Sequence, residues 1–168
     1  MLIRDVRPNE YAAVGELVVD VYRSIIPHMD EYAGELSGVA ERINAGVSVW
    51  VAEEDGQLAG TVTYVPGMGP YAEFKDPHGA GIRMLAVLPE FQGRGIGEAL
   101  VRACLDRARV DGRERVYLDT TQWMDTAQRL YRKIGFVRAP TLDWEPAPGV
   151  TLSAYVYKLE PGPRPTTA

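Results

Sequence analysis

The chain has 168 residues, 46% of them hydrophobic and 24% charged, with a net charge of -5 and a pI near 5.1. That length suits one domain with a sizeable core, and the acidic balance argues against broad contact with nucleic-acid phosphates or with an anionic membrane surface. A single cysteine, Cys104, excludes an internal disulfide framework and a cysteine-rich zinc site. No secretory or membrane-spanning apolar stretch is seen, so the default compartment is the cytoplasm.

In chain order, LIRDV (2–6) reads as a first strand. Val14, Leu17, Val18, Val21, Tyr22 and Ile25 then recur at helical spacing after Pro8, a residue suited to a first helical turn. After an interruption at Pro27, Tyr32, Leu36, Val39 and Ile43 continue that period up to Gly46, which predicts a second helix. VSVWVAEEDGQLAGTVTYV (47–65) alternates apolar and polar residues on both sides of Asp55-Gly56, a hairpin signal. Residues 66–80 have no period and carry three prolines and three glycines, a long loop expected to border the substrate. IRMLAVL (82–88) is continuously apolar and reads as a central strand, and Ile96, Leu100, Val101, Cys104, Leu105 and Ala108 give the next helix an apolar stripe. RVYLDT (115–120) is a further strand, DTAQRLYRKI (125–134) a helix closed by Gly135, and LSAYVYKLE (152–160) a final alternating strand. The tail PGPRPTTA (161–168) has nothing to bury and is expected to be disordered, leaving one domain over residues 1–160. A hairpin followed by strand–helix–strand–helix units gives an α/β class with a mixed sheet.

EFQGRGIGEAL (90–100) carries Gly93, Gly95 and Gly97 at a strand-to-helix junction. It is not a nucleotide P-loop, because Gly97 is followed by Glu98, and the dinucleotide spacing fails from both Gly93 and Gly95. What remains is Gln92-x-x-Gly95-x-Gly97. Bare backbone there exposes unpaired N–H groups at the positive end of a helix dipole, which suits a pyrophosphate, and Arg94 can add a charged contact from the side. A strand-to-helix turn needs glycine in any case, so the glycines alone leave both readings open.

The stretch IRMLAVLPEFQGRGIGEALVRACLDRA (82–108), followed by AQRLYRKIGF (127–136), resembles the GNAT superfamily of N-acetyltransferases. The resemblance covers residues 80–137 well, extends to the order of elements in 1–65, and is loose over 138–160. It implies a mixed, mostly antiparallel central sheet of about six or seven strands flanked by about four helices, with a splayed central strand pair. It further implies acetyl-CoA as acyl donor, no metal, and direct transfer of acetyl to an amine without a covalent acyl-enzyme. Leu85, Ala86 and Val87 match the positions that hold the pantetheine arm, and Gln92, Gly93, Arg94, Gly95, Ile96 and Gly97 those around the pyrophosphate. Cys104 fits direct transfer, because its place on the apolar stripe reads as core.

By the same resemblance Tyr131 is the catalytic residue, a general acid or a stabiliser of the departing thiolate. A phenol of pKa about 10 is a weaker acid than a thiol of about 8.5, so full protonation is uphill by roughly 2 kcal/mol and hydrogen bonding is an equal alternative. An ammonium of pKa about 10.4 is only about one part in a thousand free amine at pH 7, so a base is needed. Histone-type members carry a glutamate near the start of the central strand, and the matching position here is Gly81. Glu73, His78 and Asp119 are the candidate bases, directly or through water. Met124 stands where many members have an asparagine, and Asp125 reads as a helix cap. Tyr22, Tyr32, Tyr71, Phe74, Trp123 and Trp144, with Asp30, Glu31, Asp143 and Glu145, lie in segments that flank the acceptor cleft of the family and suit an amine with an apolar part. The implied partner is a small-molecule amine or a protein amino group, with neither nucleic acid nor membrane, and a homodimer is left open. The alternative is a coenzyme-A-binding regulatory or interaction module without turnover.

Overall fold

The computed structural model describes residues 1–161, so the expectation of a disordered tail falls, but for Pro161, outside the described residues. The strands are β1 (Leu2–Asp5), β2 (Ser48–Glu54), β3 (Gln57–Val65), β4 (Gly79–Val87), β5 (Arg115–Thr121), β6 (Val137–Arg138), β7 (Trp144–Ala147) and β8 (Val150–Lys158). The α-helices are α1 (Tyr11–Arg23), α2 (Ala33–Ser37), α3 (Val39–Asn44), α4 (Ile96–Val110) and α5 (Asp125–Ile134). They form one sheet in the order β1-β2-β3-β4-β5-β8-β6, with β7 on β8. Every pairing is antiparallel except β4 with β5. The mixed, mostly antiparallel α/β architecture is therefore present, with eight strands and five α-helices among the described residues instead of six or seven and four.

The additional elements have physical causes. The single helix expected over 32–43 breaks at Gly38, which leaves helical geometry at φ -77°, ψ 65°. The fully buried Arg42 guanidinium then donates to the carbonyls of Glu35 and Leu36 at 2.9 and 3.1 Å, two acceptors at the end of α2. β6 has two residues and β7 carries Pro146, so neither is long or regular enough to show an alternation.

The position of the site follows from β4. Its pairing with β5 is confined to Gly79–Gly81 opposite Arg115–Tyr117, while β5 pairs with β8 along its whole length. From Ile82 onward the β5-facing edge of β4 is without that partner, and the two central strands diverge into a wedge. On its other edge β4 stays paired with β3, but Thr61 faces Ala86 and Thr63 faces Arg83, so β4 carries one extra residue at that point. Met84 takes it up with φ +54°, a left-handed conformation that a non-glycine side chain rarely adopts, and the bulge bends the strand at the mouth of the wedge. Behind the sheet the predicted stripe of α4, with Leu100, Val101 and Cys104, is fully buried against Ala59, Val62 and Val116. The helix is thereby fixed with its N-terminus at the end of β4.

Candidate functional site

Gly93 and Gly95 have φ of +79° and +78°, and a Cβ added to either would meet nothing within 4 Å. Backbone conformation, not crowding, therefore requires glycine there, and the space in front of the turn is open. Gly95 is the residue before Ile96, the first of α4, so the unpaired N–H groups of the first helical turn face that space. Gln92 ties the turn to the strand by donating from Nε2 to the Val87 carbonyl at 3.2 Å. Gly97 faces α5, where an added Cβ would make an ordinary contact of 3.4 Å with Leu130 Cδ2, so neither crowding nor backbone conformation requires glycine there. The Arg94 guanidinium lies 5.1 Å from the centre of the Phe91 ring and 3.8 Å from the Asp55 carboxylate, directed at the β2–β3 turn.

Leu85, Ala86 and Val87 lie on the diverging half of β4. A strand edge offers alternating N–H and C=O groups to an extended chain of amides, and a helix N-terminus offers N–H groups and partial positive charge to a phosphate. The residues present at both places fit acetyl-CoA, its pantetheine arm along β4 and its pyrophosphate at the glycine turn.

Tyr131 is buried on α5 and held by Phe136 in an edge-on contact at 5.8 Å and by Tyr155 at 6.5 Å. It lines a cavity of about 140 Å³ inside the wedge together with Tyr22, Arg83, Leu85, Asp119 and Met124. Its hydroxyl has no hydrogen-bond partner among the described residues, and burial, with Tyr22 and Cys104 nearby, pushes its pKa well up. It stays protonated at neutral pH and is a free donor. Cys104 is fully buried and its thiol is likewise pushed up by burial.

A second cavity of about 430 Å³ opens between α1, α2, the 66–78 loop and β7, and shares Tyr22, Arg83 and Asp119 with the first. Glu73 and Asp119, two of the candidate bases, both line its wall, and each carboxyl influences the protonation of the other. Burial pushes the pKa of Glu73 up to about 7, against the opposing pull of the Arg83 guanidinium, and Asp119 is raised by burial as well. The Arg83 guanidinium reaches Glu73 at 2.6 Å and Glu35 at 3.2 Å, and Trp144 Nε1 donates to Asp119 Oδ2 at 3.4 Å. Two carboxyls that influence one another in this way titrate as a unit, and the pair can accept a proton from a neighbouring group.

His78 is not brought to this group. It is exposed just before β4, its main-chain N–H donating to Asp76 Oδ1 at 2.9 Å, and it lines neither cavity. Met124, not Asp125, is the capping residue of α5, without a side-chain cap bond, and Asp125 is the first helical residue, where its charge favours the dipole. Of the flanking aromatics, Tyr22, Tyr32 and Trp144 line the larger cavity and Trp123 the smaller, whereas Phe74 is stacked on Tyr117 at 5.2 Å. Asp143 is occupied by Arg138 at 2.7 and 2.8 Å. Sequence reading missed Arg83 and Glu35; the available signal for Arg83 was one charge inside the otherwise apolar IRMLAVL.

Residues 12–136, more than half of the chain, match the model of the acetyltransferase (GNAT) family. The chain belongs to the GNAT family. It is 36% identical over 87 residues to rat N-acetyltransferase family 8 member 3, covering 52% of this chain and 37% of that protein. It is 37% identical over 91 residues to human N-acetyltransferase 8B, covering 54% and 39%, so this GNAT chain spans less than half the length of these two relatives. Its fold is shared by a GNAT acetyltransferase from Staphylococcus aureus Mu50, with a TM-score of 0.77, 17% identity, and 95% and 99% of the two chains covered. A putative acetyltransferase from Salmonella typhimurium, solved with acetyl-CoA, matches with a TM-score of 0.70 at 20% identity over 100% and 99% of the chains. Among the described residues no helix is long and apolar enough to cross a membrane.

Proposed function

We propose that the protein is an acetyl-CoA-dependent N-acetyltransferase that passes acetyl directly to a primary amine of a small molecule or protein. The observation that carries this reading is the shared wall of the two cavities. On one side stand the free edge of β4 at Leu85 and Tyr131; on the other stands Glu73, with Asp119 and Arg83 facing both spaces. Donor and acceptor can thus meet at one wall without a covalent relay.

Acetyl-CoA, when bound, supplies an acetyl thioester. The β4 edge at Leu85–Val87 and the N–H groups after Gly95 hold it by backbone, which explains why Met124 is tolerated where many relatives have an asparagine. The Glu73–Asp119 pair accepts the proton that the amine nitrogen loses as its C–N bond forms, and Arg83 keeps Glu73 in place. The Tyr131 hydroxyl, too weak an acid to give its proton away at low cost, donates a hydrogen bond to the sulfur as the C–S bond breaks.

The test is release of free thiol from acetyl-CoA with a panel of primary amines, followed by mass spectrometry of the amine. Stoichiometric N-acetyl product supports the reading. Tight coenzyme binding without thiol release for any amine would instead make the chain a coenzyme-binding module.

A further inference from the structure

The larger cavity has an unusual charge inventory for a site that would admit an amino acid. Its carboxyls are Glu35, Glu73 and Asp119, and the guanidinium of Arg83 is its only Arg or Lys side chain among the described residues. That guanidinium is already engaged by Glu73 at 2.6 Å and Glu35 at 3.2 Å, and its other amino nitrogen donates to the Tyr71 carbonyl at 3.4 Å. Only 18% of the Arg83 side chain is accessible. His28 stands exposed at the rim. Apart from Thr121, the rest of the wall is apolar or aromatic, with Met29, Leu36 and Leu152.

We infer that the acceptor is a small primary amine carried on an apolar body and bearing no acidic group, and that the Glu35–Arg83 ion pair is the device that rejects amines with a carboxylate. The inference rests on the acetyltransferase reading and adds to it the class of acceptor. The ammonium is attracted by carboxyls that outnumber the single cation. A carboxylate on the same molecule would have to displace Glu35 or Glu73 from Arg83, or lie unpaired and desolvated beside like charges, and both are costly. Glu35 thus prevents Arg83 from doing what a free arginine in a cavity does, which is to clamp a carboxylate with two parallel hydrogen bonds.

The experiment compares 2-phenylethylamine with L-phenylalanine, which differ by one carboxylate, at pH 8 on the full chain. Binding is read by calorimetry with coenzyme A present, and kcat/KM with acetyl-CoA. Preference for phenylethylamine by about 100-fold in both is expected, from the cost of one like-charge contact. Glu35→Gln, which leaves Glu73 as the one carboxylate on Arg83 among the described residues, should narrow that ratio by about tenfold, through tighter binding of phenylalanine. Equal or better use of phenylalanine by the wild type overturns the inference, as does a Glu35→Gln protein that is folded and keeps the wild-type ratio. Failure of phenylethylamine to bind while another amine is acetylated overturns it too. If phenylethylamine binds selectively and no amine is acetylated, the binding preference stands and the acetyltransferase reading fails.

Discussion

The Phe74 ring stands over Gly81 so closely that a methyl group added to the glycine would meet Phe74 Cε1 at 2.8 Å. Gly81 is the position where a glutamate base would sit by resemblance, and no side chain fits there. The ring is stacked on Tyr117, so it cannot yield freely, and the residue before it, Glu73, brings a carboxyl to the cavity from the loop. Gly81→Glu should therefore not provide a second base. It should destabilise the fold by about 1–3 kcal/mol as an overpacked position, a fall in Tm of roughly 2–4 °C per kcal/mol. Calorimetry with an activity assay checks both; an unchanged Tm with higher activity would contradict the placement of Phe74.

Glu73 and Asp119 act as one proton acceptor in this mechanism, so activity must depend on the pair being able to take a proton. Because Glu73 is pushed up to about 7, kcat/KM should fall as pH drops through that value. Glu73→Gln and Asp119→Asn should each lower kcat by about 100- to 10,000-fold, and the double variant little further, because they work as a unit. Additive losses in the double variant would show two independent roles.

The same titration has a consequence for stability. A carboxyl whose folded pKa lies above its unfolded value of about 4.3 favours the fold at low pH, and that contribution is lost as pH rises through the folded pKa. Glu73→Gln cannot ionise. The difference in Tm between the variant and the wild type should thus become more positive between about pH 5 and about pH 8. A difference that moves the other way would mean that Arg83, not burial, dominates at Glu73.

Gly95→Val tests the turn. The open space beside Gly95 admits the side chain, but φ +78° does not suit it, at a cost of about 1–2 kcal/mol. The fold should survive and affinity for coenzyme A should be lost, because the valine fills the space in front of the helix N-terminus. Undiminished affinity in the folded variant would mean that the glycines serve only the turn.

Tyr131→Phe keeps the ring between Phe136 and Tyr155 and removes only the free donor. Coenzyme affinity should hardly change, while kcat should drop by about ten- to a thousandfold. The loss should shrink with a donor whose thiol is more acidic. A kcat within a factor of about two of wild type, with chemistry rate-limiting, would make Tyr131 a packing residue.

The elements legible in the sequence are those whose period their environment enforces. α4 and α5 bury one stripe, and the hairpin turns on Asp55 and Gly56 at φ +52° and +75°, as that dipeptide favours. The bulge at Met84 left no sign, because IRMLAVL has no alternation for an added residue to interrupt. The glycine turn at Gly93 and Gly95 was legible because its left-handed backbone is a local requirement that glycine meets. The meeting of Glu73 with Asp119 was not, because it depends on how the 66–78 loop folds across the end of β5, and a carboxylate in a loop looks the same in sequence whether it is alone or set beside another carboxyl. The role of Glu35, and of Arg83 beyond its lone charge in an apolar strand, was hidden for that reason too: it lies in a pairing between β4 and α2.

Direct transfer is most directly tested by intact mass of the protein and its products in a single turnover. Incubated with acetyl-CoA alone, the protein should keep its mass, since Cys104, the one thiol, is fully buried in the core behind the sheet. On addition of an amine such as 2-phenylethylamine, N-acetyl amine and free coenzyme A should appear in equal amounts. An acetylated protein that forms before the amine is added and decays as product appears would contradict direct transfer.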